Sequence, residues 1–433
     1  MCILEQFNSA GQAAQLRASR ARSRALTQDL RGEQLFGPRM SVVNPVLWEL
    51  GHIAWFQEHW CLRWRGDGAL GVSVLTGADA LYDSAAIAHD LRWDLPLPPL
   101  EATLAYQDRV LDLVEERMHR EPDNPSLAYF VQLAVFHEDM HAEAFHFTRQ
   151  TLAYAAPRLP LLGAGRAASA PAQPGRDASI PGGRYLLGAG REQGFVFDNE
   201  KWEHAVEVRP FNIARCAVTN AEYAEFVVDE GYLRREFWDP AGWSWLQQIG
   251  AHAPLYWRKQ DGSWQQRRFD AWAPVPLREP VMHVNWHEAQ AYCRYAGRRL
   301  PSEAEWEIAA ACAGTPAKRR YPWGDAPPNG WRANLEADAP LAVDALPAGA
   351  NAHGCRQLIG NVWEWTDTDF GPYPGFEPDP YKEYSQPWFG THKVLRGGSF
   401  ATPARLIRST WRNFYTPERY DIFAGFRTCA IAS

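Results

Sequence analysis

Between positions 157 and 179 the chain changes texture, and that change limits what it can fold into. The stretch is built mainly from Ala, Gly, Pro, Ser and Arg, which is linker composition. Before it, apolar residues recur at helical spacing with few breakers. After it, Gly, Pro and Trp are dense, extended runs are short and turns are frequent. With 433 residues there is ample material for separate cores, so the sequence predicts domains at 1–162 and 180–433 joined by a linker at 163–179.

The first part predicts four helices. Residues 16–30 are rich in Ala and Arg. Asn44-Pro45 reads as a cap followed by proline at the first helical position, opening a helix to about Trp64. Pro98-Pro99 precedes a third helix at 100–119, and a fourth runs from Ser126 to about Tyr154. Four helices of this length suggest an up-and-down bundle. The connection at 66–99 is long enough to be a crossover or a functional lid. The second part predicts helices at 220–230, 287–296 and 302–312, the last opened by a Ser302/Glu305 capping box. It reads as one irregular α+β domain.

Charge narrows the partners. Forty-four Lys and Arg stand against 51 Asp and Glu, a net charge of −7 with no long basic stripe, which disfavours nucleic acid. No apolar run approaches the roughly 18–20 residues that span a membrane, and positions 1–23 mix polar and charged residues unlike a secretory signal. Seven cysteines with no Cys-x-x-Cys pair suggest free thiols in a reducing cytoplasm. Twenty tryptophans are unusual; indoles fill cores, but they also line cation and sugar sites.

The sharpest chemical signal is Phe136-His137-Glu138-Asp139-Met140-His141-Ala142-Glu143. On a helix, His137 and His141 lie one turn apart on one face, ordinary spacing for two ligands of one metal. Glu143 lies about 200° round from His141 and points away, so it is at most a partner for a ligand N–H. A third ligand must come from elsewhere. His52, mid-helix among apolar residues, is the first candidate; His59, seven residues on and on nearly the same face, is its rival. Three imidazoles leave open coordination positions, the catalytic pattern, and suit zinc, iron or copper.

Four segments of the second part carry a resemblance: residues 217–223 (AVTNAEY), 299–307 (RLPSEAEWE), 360–366 (GNVWEWT) and 395–400 (LRGGSF). In order and content they resemble the formylglycine-generating-enzyme-like domain, a variant of the C-type-lectin fold. That family's founding enzyme uses a cysteine pair after Gly-Gly-Ser, and residues 401–412 here contain none. Trp363 and Trp365 are expected in the core. Asn361 and Glu364 are a candidate calcium site, as in some relatives. The first part resembles the DinB-like four-helix bundle, whose metal sites use three histidines. A DinB-like bundle fused to this lectin-like domain resembles the ergothioneine-biosynthesis sulfoxide synthases and their selenoneine-forming sister enzymes. Residues 44–52 (NPVLWELGH) and 412–419 (RNFYTPER) fit that superfamily.

The resemblance implies iron(II) on His52, His137 and His141, molecular oxygen as oxidant, and histidine betaine (hercynine) as acceptor. It implies a catalytic role for Tyr373, whose phenol could give a proton, and a betaine cradle at Asn413 and Phe414. Arg419 matches a donor-binding arginine. Two positions depart from the sulfur-using branch: Met140 stands where that branch has Gln, and Tyr415 where it has an acidic residue that serves γ-glutamylcysteine. Losing a carboxylate weakens binding of an amino-acid donor, while an added aromatic suits a sugar. The first expectation is therefore a selenosugar donor, with cysteine or γ-glutamylcysteine as the alternative. A zinc-dependent thiol transferase and a sugar-binding module are the readings of other classes. Both substrates of the favoured reading are small molecules.

Overall fold

The computed structural model describes residues 9–66, 68–159, 177–312 and 318–431. The chain divides into two compact units, Met1–Leu159 and Pro160–Ser433. Most of the expected linker, 163–176, lies outside the described residues; residues 177–179 already belong to a strand.

The first unit contains α1 (Ser9–Thr27), α2 (Val46–Glu58), the short α3 (Ala78–Tyr82), α4 (Leu100–Arg120) and α5 (Pro125–Thr151). The α5 start shows how sequence sets a boundary. The Asn124 side chain accepts from the N–H groups of Ser126 (3.0 Å) and Leu127 (3.1 Å), and Pro125 needs no partner in the first turn. The expected cap of α2 differs. Asn44 instead accepts from Arg92 at 2.7 Å, and Pro45 directly precedes the first helical residue. Every residue of α2 is buried. It is the central helix, packed on α4 and α5, while α1 packs on α5. Leu26 of α1, Leu47, Leu50 and Ile53 of α2, and Ala142 and Phe145 of α5 share one apolar core. The long 66–99 connection carries α3, which lies on α2.

In the second unit, Asp177–Ile180 pairs antiparallel with Phe211–Ala214, followed by Cys429–Ala430 and Arg298–Arg299. One sheet thus joins the start and the end of the unit. A second sheet runs in the order Asn413–Tyr415, Lys393–Arg396, Trp363–Asp369, Ala424–Gly425. A hairpin (Gly183–Leu187 with His204–Val208) and a three-stranded meander over Trp257–Gln260, Ser263–Arg268 and Ala271–Pro274 complete the strands. Among the described residues four α-helices flank them: α6 (Asn220–Val228), α7 (Pro240–Ile249), α8 (Trp286–Tyr295) and α9 (Glu303–Ala311). The Ser302/Glu305 capping box forms at the start of α9, with both reciprocal bonds in place (3.2 and 2.8 Å). Helix α7 is an element the sequence reading did not anticipate; Asp239 caps it at Gly242 (2.7 Å) and Gly250, at φ +68°, ends it.

Trp363 and Trp365 are fully buried, as expected, and the Trp365 indole donates to the Val284 carbonyl at 3.0 Å. Gly397 sits at φ +96°, where a β-carbon would lie 2.5 Å from the Leu358 carbonyl oxygen, so only glycine fits that turn. Buried arginines pair with buried glutamates: Arg396 with Glu303 and Glu307, Arg408 with Glu200, Arg427 with Glu364. Losing one partner of such a pair strands a charge, which makes these bridges specific as much as stabilising.

Glu288 is a different buried acid. It accepts from Tyr232 (2.5 Å) and from the Asn285 N–H (2.7 Å), yet burial pushes its carboxyl up to about 8. Between its ordinary value of 4.5 and about 8, the unfolded chain has lost this proton while the folded chain keeps it. Stability therefore falls as pH rises through that window. Glu288→Gln is expected to lose this part of the pH slope when Tm is followed from about pH 5.5 to 8.5; identical slopes in both proteins would refute the assignment.

The cysteines at 61, 216, 293, 312, 355 and 429 are free thiols; Cys2 lies outside the described residues. Among the described residues no helix is long and apolar enough to cross a membrane.

Candidate functional site

Helix α5 presents His137 and His141 one turn apart, and α2 presents His52 to the same point. Ring centroids are 5.1 Å apart for His52–His137, 5.1 Å for His52–His141 and 4.5 Å for His137–His141. Their ligand nitrogens lie within 4.8 Å of one another. Among the described residues this is the one group of three or more His, Cys, Asp or Glu side chains compact enough to hold an ion. His52 and His137 are buried, whereas the His141 side chain keeps 18% exposure, so the group is reached from that side.

Two hydrogen bonds set ring orientation. His52 Nδ1 donates to the Tyr82 carbonyl at 2.8 Å, and His141 Nδ1 donates to the Glu49 carboxylate at 2.5 Å. Each leaves Nε2 with its lone pair for a metal. Burial, reinforced by the neighbouring imidazoles, holds His52 and His137 well below the usual imidazole range, so both are neutral as ligands must be. Stacking restrains the rings further: Trp48 lies on His52 (4.8 Å, 9°) and Phe56 on His137 (3.5 Å, 5°). Trp55 also flanks His52 at 5.8 Å. The donor set, its tautomers and its stacking all fit a catalytic metal.

His59, the rival ligand, is not in the group. Seven residues carry it about 10 Å further along the helix axis, where it stacks among Trp55, Trp60 and Trp64. Glu143 is outside the group as well. The carboxylate that holds a ligand ring is Glu49, which the sequence reading missed. Its signal was its place one turn before His52.

The remaining expected residues lie in the second unit, except Met140, which is half-buried on α5 beside His141. Asn413, Phe414 and Tyr415 share one strand, each half-buried. Phe414 stacks on Phe370 (3.9 Å, 12°), and the Arg412 guanidinium lies over both Phe370 (4.9 Å) and Tyr373 (4.1 Å). Tyr373 and the 413–415 strand are therefore linked through Arg412 and Phe370. The Tyr373 hydroxyl donates to Glu303 at 3.3 Å, and burial keeps the phenol well above its usual range against the opposing pull of Arg412. Arg419 lies 5.2 Å from the Tyr415 ring and is gripped by both oxygens of Asp421.

The expected calcium site does not fit. Both Glu364 oxygens accept from Arg427 (2.6 and 2.7 Å), and one also accepts from the Trp306 indole. The Asn361 side-chain oxygen accepts from Asn334 (3.0 Å) and Leu341 (2.8 Å). A guanidinium already neutralises the carboxylate, so it offers no net charge to a cation.

Comparison with known proteins agrees with this architecture. Residues 15–145 match the DinB superfamily, and residues 164–432 match the sulfatase-modifying factor enzyme 1-like domain. Over 401 residues the chain is 38% identical to the hercynine oxygenase of Mycolicibacterium smegmatis, covering 89% of this chain and 91% of that protein. With the hercynine oxygenase of Mycobacterium tuberculosis the identity is 37% over 419 residues, 94% and 96% of the two chains. The chain belongs to the hercynine oxygenase family. The formylglycine-generating enzyme of Streptomyces coelicolor is 34% identical over 288 residues, covering only 58% of this chain and 87% of that one. A member of the hercynine oxygenase family thus pairs a DinB-like helical unit, which carries the three histidines, with a lectin-like unit of formylglycine-generating-enzyme type.

Proposed function

We propose that this chain is a non-haem iron, oxygen-dependent enzyme that joins the selenium of a selenosugar to the imidazole of hercynine, in selenoneine formation. The observation that carries the oxidative reading is the compact three-imidazole group in a chain 37–39% identical to hercynine oxygenases. In this reading His52, His137 and His141 hold iron(II), which supplies oxygen activation when bound. The overall balance consumes one O2. The acceptor C–H and the donor Se–H hydrogens leave as water, and the second oxygen ends on the chalcogen.

The chain's own residues bind, orient and move protons. Phe414, backed by Phe370, offers a ring face to the trimethylammonium, and Asn413 offers an amide beside it. Tyr373 gives a proton. Tyr415 and Arg419 are the donor-binding residues of the second unit, and Met140, beside His141 on α5, is that of the first. Two facts support a neutral sugar. Tyr415 supplies an aromatic face in place of a carboxylate, and the Arg419 fork is already engaged by Asp421 rather than offered to a substrate carboxylate. Free thiols on the six described cysteines suit a reducing compartment such as the cytoplasm.

A second reading, C–S bond formation from cysteine or γ-glutamylcysteine, keeps the same acceptor, the hercynine that the relatives' name carries. The test offers selenosugar, thiosugar, cysteine and γ-glutamylcysteine in parallel to iron-loaded protein with hercynine under air, with products read by mass spectrometry. Product from the selenosugar is expected; product from the amino-acid thiols alone overturns the donor assignment. Asp421→Asn, which loosens the grip on Arg419, should shift kcat/KM toward carboxylate-bearing donors by roughly tenfold, about the worth of one charge-assisted hydrogen bond.

A further inference from the structure

One face of α2 carries Trp48, His52 and Trp55, spaced four and three residues apart, and the chain after α2 returns to cover that face. Segment 71–82 takes up each of these side chains in turn. The Trp48 indole donates to the Leu81 carbonyl (2.7 Å), His52 to the Tyr82 carbonyl (2.8 Å) and the Trp55 indole to Asp79 (2.7 Å). Arg63, just past α2, grips Asp79 with both arms at 2.8 Å and donates to the Gly71 carbonyl at 3.0 Å. The buried Glu58 accepts from the Val74 N–H at 2.8 Å. The approach is so close that a β-carbon on Gly51 would lie 2.2 Å from the Tyr82 ring. Glycine inside a helix costs about 1 kcal/mol against alanine, and here it is what lets the Tyr82 carbonyl reach His52.

We infer that segment 71–82 is a clasp that fixes the orientation of the His52 ligand, with Asp79 and Tyr82 as its positioning residues. A carbonyl that holds the Nδ1 proton aims Nε2 at the ion; if the clasp shifts, the ring loses the bond that sets its in-plane orientation and keeps only its stacking on Trp48, although the three histidines and the bundle core are intact. The inference rests on the metal reading of the triad, and its test separates the two.

Cobalt(II) affinity of the full chain is measured by competition with a chelator, and its visible absorption reports coordination geometry. Gly51→Ala and Asp79→Ala should each weaken cobalt binding by roughly ten- to a hundredfold, the range for loss of a ligand's hydrogen-bonding support, and alter the visible bands. Far-UV circular dichroism should remain unchanged. Gly51→Ala is informative because alanine by itself favours the helix, so a loss must come through the displaced Tyr82. Adding Tyr82→Ala to Gly51→Ala removes the clash while keeping the backbone carbonyl, and should recover affinity. Asp79→Asn, which keeps an acceptor for Trp55, should recover most of what Asp79→Ala loses. Wild-type affinity in a folded Gly51→Ala or Asp79→Ala protein overturns the clasp. If Gly51→Ala does not fold, the Asp79 pair decides. Absence of cobalt binding by the wild-type chain overturns the metal reading instead.

Discussion

Replacing His137 with alanine is expected to remove ion binding and, with it, to lower oxygen-dependent product formation on the order of a thousandfold, about 4 kcal/mol of barrier. His137 and His141 come from one helix and His52 from another, so on the proposed reading an ion would be held only while all three are present. Two imidazoles make a site that water and buffer compete for. The substitution also opens a hole, because the His137 ring is buried face to face with Phe56 at 3.5 Å. That hole costs stability of a few kcal/mol in its own right. His141→Ala separates the two effects. Its side chain is 18% exposed, so the hole is smaller, and the remaining fall in Tm reads the Glu49 carboxylate that loses its imidazole partner. Iron content per chain, Tm and product by mass spectrometry are read on the same samples. Full turnover by an iron-free His137→Ala protein would refute the metal centre.

The grouping of the three histidines was legible because helical period turns spacing into a face, and because a histidine amid the apolar residues of α2 needs a reason to be there. What fixes those ligands was much less legible. Glu49 reads as one more helix acid until α5 packs across α2 and brings His141 to it, 92 residues away in the chain. The Tyr82 carbonyl has no sequence signal at all, since every residue carries one; Gly51 alone hinted that something passes close. Local rules failed where distant residues outbid them. Asn44 is a good capping residue, yet Arg92 claims its side chain. Glu364 is a good calcium ligand by type, yet Arg427, 63 residues on, already neutralises it. Helix α7 is different: Asp239-Pro240 and Gly250 are ordinary start and stop signals, hidden in a part of the chain dense in Gly, Pro and Trp. The tryptophans divide by place. Trp363 and Trp365 fill the lectin-like core, whereas Trp48 and Trp55 flank a ligand.

Tyr373→Phe is expected to lower kcat by about 10²–10⁴, the usual worth of a positioned proton donor, while leaving the fold and ion affinity in place. The fold should hold because the hydroxyl makes one long bond, 3.3 Å to Glu303, and that carboxylate is also held by Arg396 (2.9 Å) and Arg412 (2.7 Å). Phenylalanine keeps the ring's contacts with His204 and Arg412. The chemistry should suffer because burial keeps this phenol protonated far above its ordinary range, making it a donor at any working pH. The sign follows: a raised phenol pKa means that no alkaline loss of activity below about pH 10 traces to this group. A donor used only in the transition state lowers kcat and kcat/KM together and leaves the substrate KM values alone. A tyrosine that merely packs predicts the opposite pattern, kcat unchanged and at most a small fall in Tm. Wild-type kcat in the Tyr373→Phe protein, with iron content equal, would remove the tyrosine from the mechanism and leave the three-histidine centre standing without it.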